Sequence, residues 1–160
     1  MSSSELEQFI AKFPWPGRYK ELEVEPVEFL WSAELNASVT RLWPILSDSS
    51  RANRKMGYPP TTYHEINGEL HGLIDIRGMR QKWIEKPWDW VENQFGIAPR
   101  EYSVGPAQVL RTIFYLEALS EDKTTFWIYY GWIPRGLLGR LKIRHMKKYM
   151  HKGVNRLATR

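Results

Sequence analysis

Apolar residues change their period three times along this chain. Leu6, Phe9, Ile10 and Phe13 recur at three- and four-residue steps, which gathers them on one face of a helix. Ser4 with Glu7 three residues on is a capping signal before them, and Pro14 and Pro16-Gly17 stop the helix. From Val27 the period becomes two: Val27, Phe29, Trp31, Ala33 and Leu35 alternate with Glu28, Ser32 and Glu34, the pattern of a half-buried strand. Ser38 then caps a helix with Leu42, Ile45 and Leu46 as its buried stripe, and Pro44 falls near its first turn, where proline is tolerated. Ser47-Asp48-Ser49-Ser50 is a second capping signal, opening a polar helix over 51–56 that ends at Gly57.

Residues 61–133 read as an antiparallel meander. A strand over 61–66 turns at Asn67-Gly68, the strongest short hairpin signal in the chain, into 69–76. Gly78 bends the chain into 80–85, and Pro87 interrupts it before a strand over 88–97. Strands over 109–119 and 124–133 follow, joined by Ser120-Glu121-Asp122-Lys123. Leu110, Thr112, Phe114 and Leu116 mark one face of the first. The second is apolar on both faces, Phe126, Ile128, Tyr130 and Trp132 against Trp127, Tyr129 and Ile133, so a second buried surface is expected, under the N-terminal helix or a partner. After Pro134-Arg135-Gly136, the residues Ile143, Met146, Met150, Val154 and Leu157 give a helical stripe to about 157. This order predicts the α+β class, an antiparallel sheet with helices packed on one side. A length of 160 residues fits one domain, which we place at 26–160, with 1–25 as an extension carrying the short helix.

Charge changes the picture at one place. The last 26 residues hold nine of the 23 Lys/Arg and no Asp or Glu, so residues 1–134 are net −4 and the formal +5 belongs to the final helix. Arg140, Lys142, Arg144, Lys147, Lys148, Lys152 and Arg156 take most positions off its apolar stripe. The bland reading is a solvated face. The functional one is docking over Arg140–Arg156 on an anionic membrane surface or an acidic protein. Nucleic acid is not expected as a partner, because no recognition motif accompanies the charge and the body is acidic. No signal peptide or apolar span is visible, which leaves the cytoplasm as the default.

Candidate chemistry is thin. The chain has no Cys, so disulfides, thiolate catalysis and Cys-based metal sites are excluded. His64 and His71 flank the Asn67-Gly68 turn and could face each other across the hairpin, but a metal needs further convergent ligands and no such spacing exists. Glu85, Asp89 and Glu92 lie beside tryptophans, where burial would raise a carboxyl pKa, yet a Glu/Lys-rich surface strand reads the same way. No phosphate loop or nucleophile elbow is present, so no catalytic residue, metal or cofactor is assigned. The positive signal is aromatic. With eight Trp and eight Tyr, rings at Trp31, Trp83, Trp90, Phe114 and either Trp127 or Tyr129 predict a concave wall of flat apolar surface with occasional polar handles. A one-residue register error would exchange the inner and outer sets.

Several pieces together resemble the SRPBCC superfamily of START-like, birch-pollen-allergen-like helix-grip domains. They are 29–36 running into Ser38-Val39-Thr40-Arg41-Leu42-Trp43-Pro44, Ser47-Asp48-Ser49-Ser50-Arg51, and Trp83-Ile84-Glu85-Lys86-Pro87-Trp88-Asp89-Trp90. Gly105-Pro106 and Ile133-Pro134-Arg135-Gly136-Leu137-Leu138-Gly139 complete the match. The resemblance implies a curved seven-stranded sheet gripping the long C-terminal helix, two short helices after the first strand, and a cavity between sheet and helix. It implies a hydrophobic small molecule or lipid as ligand, held for sensing or carriage. A polyketide-cyclase-like enzyme in the same cavity, with Glu85, Glu92 or His71 moving the proton, and an interaction domain with a filled cavity are the alternatives. The expected lining is Trp31, Leu35, Trp83, Trp90, Phe114, Leu116, Tyr129, Met146 and Met150. The wording is most similar to START-like domains at the front of bacterial class III nucleotide cyclases, which implies a sensory N-terminal piece of a longer protein.

Overall fold

A computed structural model describes residues 3–158. Two helices come first, α1 (Ser3–Lys12) and α2 (Gly17–Lys20), then strand β1 (Val27–Leu35) and helices α3 (Val39–Leu46) and α4 (Ser49–Met56). Strands β2 (Thr62–Ile66), β3 (Glu69–Ile76), β4 (Met79–Glu85), β5 (Asp89–Val91), β6 (Phe95–Val104), β7 (Ala107–Ser120) and β8 (Lys123–Pro134) follow, and α5 (Gly136–Ala158) closes the chain. The sheet runs β1-β8-β7-β6-β4-β3-β2, antiparallel throughout, with β5 added to β6 off that path. The long helix α5 crosses its inner face against β1, β8 and β7 and touches α4. This is the predicted α+β helix-grip arrangement, with eight strands where seven were expected.

Local chemistry explains most element ends. The Ser38 side chain accepts from the Arg41 N–H at the start of α3, and Asp48 accepts from the Ser50 and Arg51 N–H groups at the start of α4. Gly57 ends α4 in the left-handed region, the usual way a glycine closes a helix. Asn67 and Gly68 both take positive φ, as a two-residue hairpin requires. Two expectations need correction. Pro44 sits in the interior of α3, not its first turn; with only eight residues, α3 keeps its end through the Ser47 N–H and hydroxyl bonding to the Trp43 carbonyl. The strand expected over 88–97 is a hairpin of β5 and β6, reversing at Asn93, which adopts φ 60° without a glycine beside it. Asparagine tolerates that region, but the turn carries no Asn-Gly pair to announce it.

Over β1, β7 and β8 both faces of the sheet are buried. On the inner face Phe126, Ile128, Tyr130 and Trp132 of β8 join Leu110, Phe114 and Leu116 of β7 and Ile143, Met146, Met150 and Val154 of α5 in one core. On the outer face Phe9 and Phe13 of α1 pack on Leu30, Ile113 and Tyr129. Burying each phenylalanine contributes about 1.5–3 kcal/mol. Buried polar groups tie this layer down: Arg111 donates to the Phe13 carbonyl at 2.7 Å, and Glu28 accepts from the Tyr129 hydroxyl at 2.5 Å and from Trp15 Nε1 at 3.1 Å. The second apolar face of β8 is therefore covered by the chain's own N-terminus.

Candidate functional site

Alternation along the strands decides which side chains reach the space between the sheet and α5. Gln81, Trp83 and Glu85 of β4 share one face, as do Ala98, Arg100 and Tyr102 of β6, and these faces look inward with Ile74 and Ile76 of β3. Gly72 is the direct partner of Trp83, and a Cβ on it would collide with the indole; the missing side chain lets the ring lie across the neighbouring strand.

At the centre is a buried ion pair. Glu85 and Arg100 are direct partners across β4 and β6, with Arg100 Nε 3.2 and 3.0 Å from the two carboxylate oxygens. The Glu85 side chain is 6% exposed and that of Arg100 12%. Glu85 also accepts from Trp83 Nε1 at 2.8 Å, Trp88 Nε1 at 2.9 Å and the Tyr63 hydroxyl at 3.2 Å. Arg100 donates through Nη2 to Ser49 Oγ at 2.9 Å and lies 4.8 Å from the Trp83 ring centre. Burial alone would lower the guanidinium pKa; the Glu85 carboxylate and nearby phenols outweigh it and raise it. Burial likewise raises Tyr63, Tyr102 and Tyr130, which stay neutral hydroxyls at any physiological pH.

Two small spaces flank the pair. One, about 60 Å³, is bounded by Gln81, Trp83, Arg100, Tyr102, Trp132, Met146 and Met150 among others. The other, about 50 Å³, is bounded by Met56, Trp88, Arg100, Thr112, Phe114 and Ile128 among others. Asn53, Arg100 and Tyr130 line both and so form the partition. Three buried polar atoms on lining residues have no hydrogen-bond partner: Gln81 Nε2 and Trp132 Nε1 at the first space, and Thr112 Oγ1 at the second. Unmet donors inside a core each cost roughly 1–3 kcal/mol, so a well-packed interior does not normally leave three of them around two adjoining spaces. A larger groove of about 450 Å³ lies where Leu35, Leu42 and Ile45 meet Leu157, rimmed by Arg41, Lys55 and Arg156. None of the unpartnered buried donors borders it.

Solved structures share this layout. The aromatase/cyclase Zhui from a Streptomyces strain superposes with TM-score 0.66, at 8% identity over 84% of this chain and 93% of its own. A START superfamily protein from Mycobacterium smegmatis gives 0.63 at 14% identity, over 82% and 94% of the two chains. A protein from Arthrobacter aurescens gives 0.60 at 19%, over 82% and 83%. This chain has the START-like helix-grip fold. Identities this low carry the fold and nothing about ligand or reaction. No family model matches the sequence, and no curated protein matches it.

Within the helix-grip frame the expected lining residues separate. Trp83, Met146 and Met150 border the first small space and Phe114 the second. Leu116 is in the inner core without bordering either, and Leu35 borders the larger groove. Trp31, on the edge strand β1, is stacked on His151 of α5 with centroids 5.3 Å apart. Two expectations are corrected. Tyr129 faces outward beneath α1, because Leu30, Ile113 and Tyr129 form the opposite set to Tyr130 across β1, β7 and β8. Trp90 is 59% exposed on β5, the strand off the main path, where its ring approaches Trp43. Residues not anticipated include Gln81, Arg100, Tyr102 and Trp132. Two of these, Arg100 and Tyr102, lie on β6 beyond residue 97, where the sequence pattern predicts no strand. His64 and His71 do stand opposite each other across β2 and β3, with His71 3.6 Å from Glu69; among the described residues no group of three or more acidic or His side chains converges. Neither His71 nor the exposed Glu92 borders the two small spaces.

Proposed function

We propose that this domain binds a small, largely apolar molecule carrying hydrogen-bond acceptors, between the sheet and α5, as a sensory or carrier module. The observation behind this reading is the set of unpartnered donors at Gln81, Trp132 and Thr112 on otherwise aromatic and aliphatic walls, with the Arg100 guanidinium between them. A carbonyl or hydroxyl oxygen among these groups would satisfy donors that the protein leaves unmet, while rings and alkyl groups contact Trp83, Phe114, Met146 and Met150. The helix-grip fold of an aromatase/cyclase and of a START superfamily protein is compatible with this use.

Size sets the condition. Spaces of about 60 and 50 Å³ admit water, whereas ligand pockets usually span roughly 300–1,000 Å³. Uptake therefore requires the walls to move, and Met56, Met146 and Met150 are the side chains best able to repack, being unbranched and flexible. The same smallness favours a second reading, an interaction domain whose cavity stays filled. A cyclase-type reaction has weaker support, since both oxygens of Glu85 already accept hydrogen bonds from the side chains around it.

Native mass spectrometry of the protein purified from its own cells tests the proposal. A stoichiometric small molecule that is lost from Gln81→Leu and retained by the exposed-site variant Lys123→Ala supports it. A mass equal to the bare chain, with no molecule recovered by solvent extraction, removes it in favour of the filled interaction domain.

A further inference from the structure

The start of α5 exposes three leucines to solvent, and no other segment of the described chain does anything comparable. Leu137, Leu138 and Leu141 are 80, 74 and 61% exposed. Gly139 sits between them on the opposite side, buried against the Pro106 carbonyl so closely that a Cβ would collide with it. That contact anchors the first turn of α5 to the β6–β7 connection and turns the leucines outward. Arg135 reinforces it by donating to the Tyr102 carbonyl at 2.8 Å.

The same outward line continues as positive charge. Leu137, Leu141, Arg144, Lys148 and Lys152 follow at steps of four, three, four and four, so they form one ridge opposite the buried set Ile143, Met146, Met150 and Val154. The ridge runs about 22 Å at 1.5 Å per residue. No acidic residue occurs in α5, and among the described residues Arg144, Lys148 and Lys152 have no ion-pair partner. Arg140 and Arg156 are engaged elsewhere, on Glu25 and on the last carbonyls of α4.

We propose that α5 docks the domain on an anionic lipid bilayer, with Leu137, Leu138 and Leu141 entering the interfacial layer and Arg144, Lys148 and Lys152 lying over headgroup phosphates. A bilayer is the occupant that uses both halves of the ridge. It takes isolated leucine tips without a complementary pocket, and its charge is spread over a plane. A second copy would bring two cationic ridges together, and three leucines offer far less than the ~1,200 Å² that a stable interface buries. Nucleic acid would leave the leucines without a role.

Vesicle co-sedimentation of the whole chain tests this. The wild type is expected to sediment with phosphatidylcholine/phosphatidylglycerol vesicles, to remain in solution with phosphatidylcholine alone, and to be released as salt rises. Lys148→Glu with Lys152→Glu should weaken partitioning by at least about 25-fold, at roughly fivefold per basic residue near the surface. Leu137→Ser with Leu141→Ser should weaken it by roughly tenfold or more, given what burying a leucine contributes. All four positions are exposed, so both variants should keep the wild-type melting temperature, and that measurement accompanies each assay. Failure of the wild type to bind anionic vesicles overturns the proposal, including the case in which it is retained on polyglutamate, which would make an acidic protein the partner. Unchanged partitioning of the leucine variant overturns insertion. Neither outcome touches the cavity reading, which is tested on the other face of α5.

Discussion

Glu85→Ala is the sharpest test of how this interior is held together. The substitution removes the acceptor for Arg100 Nε, Trp83 Nε1, Trp88 Nε1 and the Tyr63 hydroxyl at once. Trp88 and Tyr63 are only half-buried and recover part of their loss through water, but Trp83 is buried and Arg100 nearly so. Removing one partner of a buried ion pair typically costs about 3–5 kcal/mol, because the remaining charge is left uncompensated. Against a total stability of roughly 5–15 kcal/mol, that is a large fraction. With a urea slope of about 2 kcal/mol/M, the unfolding midpoint should fall by about 1.5–2.5 M. Adding Arg100→Met should restore part of the loss, since it takes away the stranded guanidinium and fills its volume with an apolar chain. The assay is urea unfolding of wild type, both single variants and the double, followed by tryptophan fluorescence. A loss below about 1 kcal/mol for Glu85→Ala, or additive effects in the double variant, would refute the claim that this pair organises the interior.

Gly72→Ala should lower the melting temperature by about 2–12 °C, from about 1–3 kcal/mol of overpacking as the new methyl displaces the Trp83 ring; calorimetry reads it. Phe13→Ala should cost about 3–5 kcal/mol in urea unfolding if α1 seals the outer face as tightly as its contacts with Phe9, Phe95 and Tyr115 imply. Burial raises Tyr19, Tyr58, Tyr63, Tyr102, Tyr129 and Tyr130 above the ordinary phenol value of 10.0, so the unfolded chain releases those protons at lower pH than the folded one. Stability should therefore be unaffected by these groups below about pH 10 and decline above it, with phenolate absorbance rising together with unfolding; early ionisation of all eight tyrosines in folded protein would contradict the burial described.

Much of the architecture was legible in one dimension. The Asn67-Gly68 hairpin, the Ser38 cap and Gly57 stop were readable because each depends on a residue's own backbone or a neighbour a few positions away. The inner face of β7 and the apolar stripe of α5 were readable because burial imposes a period. Two features escaped for the same reason. The turn at Asn93 has no glycine to mark it, and the sequence pattern predicts no strand beyond residue 97, so the inward Arg100 and Tyr102 of β6 had no register. On β8, both faces are apolar, so pattern alone could not say whether Tyr129 or Tyr130 looks toward α5.

The amino-acid order by itself determined a sheet capped by a final helix, a cationic end with no acidic residue, and the absence of cysteine chemistry. Those properties are composition and local periodicity, and they hold whatever the strands pair with. Tertiary structure decided that Tyr129 belongs under α1, that Glu85 and Arg100 meet across two strands, and that the aromatic rings leave only about 60 and 50 Å³ beside them. It also decided that the leucines of α5 point away from the core, because Gly139 takes the contact with Pro106. Each of these is a fact about which distant segment occupies the neighbouring space, and no spacing along a single chain encodes that without the register of the sheet.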